Sequence, residues 1–370
     1  MPWLPDKLPA EPKFLWQKPL SHQGLGGVAA TKSLVLVGDR DSADESDNFY
    51  CFAAETGQLQ WTLQQSAAGR LDYGNSPRAT PLIHGELAFL FGAFGHLHCV
   101  DLETGAVLWQ KNIREEYDVR DKLVWGTSSS PLIIDDQLIL NPGAETASLV
   151  ALEPETGEEI WRTPGPSAAF SSFVVGKWGG QRQIVGYDKE SLGGWDVETG
   201  ERLWTHAAKN PNDFNVPTPI IVGDKLLLAT ENNGTRLHAF DRRGRLLPEP
   251  LAQHRQLAPD THTPIAIGNR LFGVWGGLFC LDLSDNLREL WMSEDESFNH
   301  YATVIGSRDR VLVTTEKGEL ILLDATADQF APLSRLKLFE NDSGVFSHPA
   351  LVGSRLYVRS STSLVCLPLA

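Results

Sequence analysis

Val100-Asp101-Leu102-Glu103-Thr104-Gly105-Ala106-Val107-Leu108-Trp109 is the stretch on which the reading of this chain turns. The apolar run Leu97 to Val100 leads into an acidic residue, then Glu-Thr-Gly, then a second apolar run that ends in Trp. This is a strand, a tight turn and a strand. Glycine takes the φ > 0 position that closes such a turn without a Cβ clash. Asp and Thr beside it can hydrogen-bond local backbone groups. The Trp gives the hairpin one large flat group to bury.

The phrase recurs at Glu55-Thr56-Gly57 with Trp61, Glu155-Thr156-Gly157 with Trp161, and Glu198-Thr199-Gly200 with Trp204. Degenerate copies follow at Asp241 to Gly244, which has no Trp, at Asp282 to Asp285, which keeps Trp291 but lacks the Gly, and at Leu323 to Thr326. A second phrase precedes each copy: a small polar residue, usually Pro, then two or three apolar residues and a turn. Thr80-Pro81, Ser130-Pro131, Thr218-Pro219, Thr263-Pro264 and His348-Pro349 open five of these. Gly27, Ser172 and Thr303 stand near the start of three more without the Pro. Each unit reads as four short strands bounded by turn signals, and no long segment has helical period. Four strands repeating every ~40–50 residues are the signature of propeller blades.

Eight openings predict an all-β, eight-bladed β-propeller of four-stranded antiparallel blades. The eighth unit ends before its own Trp strand. Lys13-Phe14-Leu15-Trp16-Gln17 has a Trp strand with no hairpin before it. The two halves predict that residues 13–18 join the C-terminal blade and close the ring, which removes an exposed sheet edge. The chain is expected to form one domain over residues 1–370, with residues 1–12 as an extended lead-in.

The net charge of -15 carries no basic stripe, so nucleic acid is not an expected partner. No apolar run approaches the ~18 residues of a membrane helix, and no signal peptide is visible before Leu20. Met1 as the native start would place the chain in the cytoplasm. Cys51, Cys99, Cys280 and Cys366 share one repeat position, where other copies have Ala151 or Ala239. That placement favours small buried residues over a disulfide framework.

Eight units with Glu-Thr-Gly-x-x-x-Trp turns resemble the pyrroloquinoline quinone (PQQ)-type propeller repeat from about Phe14 to Leu367. The family includes quinoprotein alcohol dehydrogenases and non-catalytic scaffolds similar to BamB, and it leans toward the periplasm or cell envelope. The resemblance implies that Trp16, Trp61, Trp109, Trp161, Trp204 and Trp291 dock between neighbouring blades. It also implies that catalysis would use PQQ with calcium, held by Glu, Asn and Asp, often under a disulfide of adjacent cysteines. No adjacent Cys pair exists here, and no ligand set can be assigned. No cofactor is therefore expected, with PQQ and calcium as the alternative.

In a propeller, ligands are expected in the funnel reached by the loops that lead into the blades. Those loops supply Tyr73, Asn75, Arg78, Trp125, Ser128, Phe170, Phe214, Asn215, His262, Asn299, His300, Phe346 and His348. Such residues suit a sugar or a quinone; the other reading is that their polar atoms satisfy buried turns. Long loops over 64–77 and 111–127 are the expected partner-facing lip. The acidic segment Asp39 to Asp47 reads as a solvated hairpin, or as a wrap for calcium. His96 and His98 share a strand face and read as structural. Asn233-Gly234-Thr235 reads as a hairpin turn rather than a glycosylation acceptor. The expected function is a non-catalytic, monomeric scaffold that binds a protein or a small polar ligand at one face. The alternative is a quinoprotein-like oxidoreductase or a carbohydrate-active enzyme using the funnel.

Overall fold

The structure is a computed structural model that describes residues 3–340 and 344–369. It contains eight four-stranded antiparallel sheets, the blades of a β-propeller. The first blade is Ala29–Ala30, Leu34–Arg40, Ser46–Ala53 and Leu59–Ser66, paired in chain order. The next six blades repeat this order. In the eighth, Ala350–Val352, Arg355–Arg359 and Ser363–Pro368 are completed by Trp16–Pro19 from the other end of the chain. Trp16 lies opposite Cys366 and Pro19 opposite Ser363. The closing strand is therefore the orphan Trp strand, shifted slightly toward Pro19 from the sequence estimate. Among the described residues, helix is limited to one turn at Ile113–Glu116 and a 3-10 turn at Glu296–Phe298, neither of which has a sequence signal.

The chain forms two compact units. One comprises residues 1–112, 124–128 and 295–370, with blades seven, eight, one and two; the other comprises 113–123 and 129–294, with blades three to six. Within each unit the core is a series of apolar seams between neighbouring blades. Leu36, Cys51, Trp61, Ala88 and Val100 fill one seam, and Ile139, Ala151, Trp161, Ile184 and Trp195 fill another. Residues 3–12 of the lead-in form no strand and pack on the blades. Leu4 and Leu8 are buried beside the seventh and eighth blades, and the Leu8 N–H donates to Ser334 Oγ at 2.8 Å.

The repeated phrase now has a physical account. Each Trp lies across the sheet from the small residue of its own blade: Trp61 from Cys51, Trp109 from Cys99, Trp161 from Ala151, Trp204 from Gly194 and Trp291 from Cys280. A larger residue there would occupy the space the indole takes. Trp61 then reaches the next blade. Its Nε1–H donates to the Leu102 carbonyl at 3.0 Å, and a Cβ on Gly105 would come within 2.6 Å of its ring. Trp16 repeats this on Ala54 and Gly57. The turn glycine is thus required twice, for φ of +73° at Gly105 and for the close approach of the Trp. Trp109 is only half-buried, unlike Trp16, Trp61, Trp161, Trp204 and Trp291. The turn's first residue acts locally: Asp101 Oδ1 accepts from the Thr104 N–H and hydroxyl, and Asp282 and Asp324 hold Ser284 and Thr326 in the same way. In the copy that lacks its Gly, Asn286 takes the position with φ of +53°.

The four cysteines are buried and unbridged. Burial raises the Cys51 and Cys99 thiols to about 12, which leaves them protonated and unreactive.

Candidate functional site

In the unit that holds the first blade, the loop before Pro81 is stiffened from inside. Arg78 is buried, and its guanidinium donates to the carbonyls of Ser76 at 3.2 Å, Asp72 at 2.6 Å and Gly74 at 2.8 Å. Burial lowers its pKa to about 10, against the pull of Asp47 and Asp72. Asn75, also buried, accepts the Leu71 N–H through Oδ1 and donates through Nδ2 to Asp44 Oδ2 and the Gly69 carbonyl. These two candidates hold the loop, and their polar heads are committed to it.

What the loop displays is Tyr73, 74% exposed and at φ of +62°. The ring of Trp125 meets Tyr73 edge-on at 6.1 Å. The Asp72 N–H donates to the Val124 carbonyl, so the two loops are tied as well as stacked. Val124 beside Trp125 is half exposed. Ser128 Oγ turns back to the Gly126 carbonyl.

Below this loop lies the segment Asp39 to Asp47, whose tip at residues 42–45 is the exposed acidic hairpin expected, while its two ends are not solvated. Asp39, Arg40 and Asp47 are fully buried. Arg40 bonds Asp47 Oδ1 at 2.8 Å and Asp44 Oδ1 at 2.9 Å, and stands over the Phe94 ring. Asp39 Oδ1 accepts from Arg359 at 2.8 Å. The carboxylates neutralise two buried arginines, and both arginines are too distant in sequence or too ordinary in context to reveal that pairing. Asp47 is nevertheless pushed up to about 6, because burial outweighs the charge of Arg40.

The same unit places Asn299 and His300 after the 3-10 turn, both exposed, with His300 Nδ1 3.9 Å from Glu316 Oε2. Phe346 packs on Tyr301 at 5.8 Å. His348 is open to water at its own surface but walled by protein around it, which lowers its pKa. His98, by contrast, is buried against Gln65 Oε1 at 3.1 Å and held neutral, with burial lowering its pKa to about 4.

In the other unit, Asn215 is buried at φ of +54°; its carbonyl accepts the Ser171 N–H, and Nδ2 donates to the Asp188 carbonyl. His262 is buried, Phe170 half-buried, and Phe214 half exposed. The Phe214 N–H donates to Glu231 Oε1. The segment after residue 112 forms its helical turn here. It borders a cleft of about 280 Å3 lined by Tyr117, Asp118, Arg120, Asp121, Glu145 and Ser167. Lys189 reaches Asp121 at 2.7 Å and the Arg114 guanidinium donates to the Asp121 carbonyl, so this lip is also held by charge.

Sequence reasoning missed Trp178 and Trp195. Trp178 stacks on Phe240 at 4.2 Å, and Trp195 is the largest fully buried side chain, under the Arg202 guanidinium at 4.8 Å. Neither sits at the repeat position that marked the other tryptophans. Among the described residues, no group of three or more His, Cys, Asp or Glu could hold a metal ion, and no helix is long and apolar enough to cross a membrane.

Fold and repeat together define an eight-bladed propeller built from PQQ-like repeats. The family model described as outer membrane protein assembly factor BamB matches residues 9–143 and 117–332, and the chain belongs to that family. It is 24% identical over 245 residues to the outer membrane protein assembly factor BamB of Shewanella oneidensis, covering 61% of this chain and 59% of that protein. It is 27% identical over 139 residues to the quinoprotein alcohol dehydrogenase PedH of Pseudomonas putida, covering 34% of this chain and 22% of that one. The chain thus spans well under two thirds of each of these two relatives. Among solved structures, BamB from Moraxella catarrhalis superposes with a TM-score of 0.67 at 15% identity, covering 96% of this chain and 99% of that one. That likeness is one of fold.

Proposed function

We propose that this chain is a non-catalytic scaffold of the cell envelope that binds a protein partner through the loops around Tyr73 and Trp125. The observation that carries this reading is the stiffened loop. Arg78 and Asn75 hold it from within, and it presents the exposed Tyr73 ring braced edge-on by the half-buried Trp125. Rigid exposed aromatics lose little entropy on binding, and they dominate protein interfaces. The relatives named as outer membrane assembly factors favour the same reading and the envelope location.

The second reading is a quinoprotein-like oxidoreductase, favoured by the relatives named as quinoprotein and quinohemoprotein alcohol dehydrogenases. The side chains here do not suit a quinone and calcium. The guanidinium of Arg78 and the amides of Asn75 and Asn215 already bond to loop backbone, and the nearby carboxylates pair with Arg40 and Arg359. We therefore propose that the chain binds no PQQ.

A photo-crosslinker placed at Tyr73 and, as control, at exposed Glu201 should capture one envelope protein in the producing cell from position 73 only. Calorimetric titration with PQQ and calcium should give no saturable heat. A stoichiometric PQQ signal that disappears in His300→Ala would instead establish the oxidoreductase reading.

A further inference from the structure

Each blade ends in an outer strand whose far edge has no strand partner among the described residues. Such edges invite pairing with other chains, and proteins blunt them with charge, proline or short length. Seven of the eight are blunted. Trp16–Pro19 carries Lys18 and Pro19, and Val107–Asn112 carries Lys111. Glu159–Thr163 and Arg202–His206 carry Arg162 and Arg202. Ala252–His254 has three residues. Arg288–Ser293 begins with Arg288 and Glu289, and Pro332–Lys337 has Pro332, Arg335 and Lys337. Leu59–Ser66 of the first blade, Leu-Gln-Trp-Thr-Leu-Gln-Gln-Ser, is the longest at eight residues and contains no charge, proline or glycine.

Trp61 and Leu63 of this strand are buried toward the second blade, while Leu59, Gln60, Thr62, Gln64 and Ser66 are exposed. At its Gln60 end opens a cleft of about 550 Å3, lined among others by Leu34, Gln60, Glu86, Asp101 and Glu103, with no Lys or Arg. The Thr104 hydroxyl and N–H hold the Asp101 carboxyl below its ordinary pKa, so it stays charged. An unprotected edge and a carboxylate-lined cleft thus adjoin.

We propose that this edge receives an extended segment of a partner protein as a fifth strand of the first blade, with a Lys or Arg of that segment seated in the cleft. Main-chain pairing along an edge supplies affinity, and pockets at alternate positions supply selectivity. Eight residues at about 3.3 Å each give a platform of about 26 Å. Opposite charge then fixes register and partner. The surface is distinct from the aromatic loop of the preceding section and does not depend on it.

The test uses the whole chain and four synthetic probes. Two are peptides of alternating Thr and Val with two lysines at the N- or the C-terminus. The third is a twin with two glutamates, and the fourth a lysine twin with alternate backbone nitrogens methylated. One lysine peptide should bind saturably at one per chain and slow amide exchange over 59–66. The glutamate and N-methylated twins should bind at least tenfold more weakly. Glu86→Lys with Glu103→Lys should erase the preference for lysine over glutamate while leaving the melting temperature unchanged. No saturable binding, equal binding of the N-methylated twin, or protection elsewhere in the chain overturns the proposal. So does a dimer of the protein itself that protects the same amides, which would assign the edge to a second copy.

Discussion

The Thr218 N–H donates to Thr263 Oγ1 at 3.0 Å, linking the openings of the fifth and sixth blades. Ser172 donates in the same way to Thr218 Oγ1 at 3.3 Å, and Ser130 to Ser172 Oγ at 3.0 Å. In the other unit the Gly27 N–H meets Thr80 Oγ1 at 3.1 Å. At Thr80, Ser172, Thr218 and Thr263 the small polar residue of the opening phrase is therefore an acceptor for the backbone of the blade before it, whereas the buried Thr303 hydroxyl has no such donor among the described residues. Thr263→Val keeps the shape and removes the acceptor. It should cost about 1 kcal/mol in urea unfolding, and Thr263→Ser should restore most of that. Equal stability of the Val and Thr forms would show that the relay carries no energy.

Closure by Trp16–Pro19 predicts that removing residues 1–18 lowers the melting temperature sharply, since the eighth blade loses its outer strand and Ala54 loses the indole donor. Trp16→Ala alone should cost roughly 3–5 kcal/mol, as for other buried aromatics. Gly57→Ala, which drives a Cβ to within 2.6 Å of that ring, should be non-additive with it, because both changes act on one contact. Additive losses in a double-mutant cycle would place the two effects elsewhere.

His98 and His238 are buried and neutral, each pushed down to about 4 by burial. Their folded pKa lies below the ordinary value, so the unfolded chain binds more protons between about pH 4 and 6.5. The sign follows: their contribution is complete above about pH 6.5 and is lost as pH falls toward 4. His238→Gln and His98→Gln should each flatten the fall of the urea midpoint over that window, relative to the native protein. An unchanged pH slope in both variants would mean that the two rings are charged in the folded state.

The blades were legible because their signals are local and repeated. The Glu-Thr-Gly turn, the Trp that follows it and the small residue facing it lie within one hairpin. Their spacing alone also paired the Trp16 strand with the last unit. The loop residues were not legible in the same way. Asn75 and Arg78 look the same in sequence whether they face a ligand or hold a turn, and only their partners Asp44, Gly69, Asp72 and Gly74 decide. Trp195 lies within a hairpin, opposite Arg202, but away from the repeat's Trp position, and its burial also needs Phe173 from ahead of the blade's first strand.

The acidic segment shows the same limit at longer range, and it gives the strongest stability prediction. Asp39 reads as one of several surface carboxylates, yet its partner Arg359 stands 320 residues away and both side chains are fully buried. Arg359 also donates to the carbonyls of Gly38 and His22, while Asp39 accepts the N–H groups of Ser21 and His22. The pair thus fastens the chain just after the closing strand to the first and eighth blades. Arg359→Met leaves a buried carboxylate whose charge has lost its partner, and should cost roughly 3–5 kcal/mol. Asp39→Asn should cost a similar amount by stranding the guanidinium. The double variant should recover part of the loss, since neither charge then remains buried alone. A double variant as unstable as the sum of the two would refute the pairing as the source of the stability.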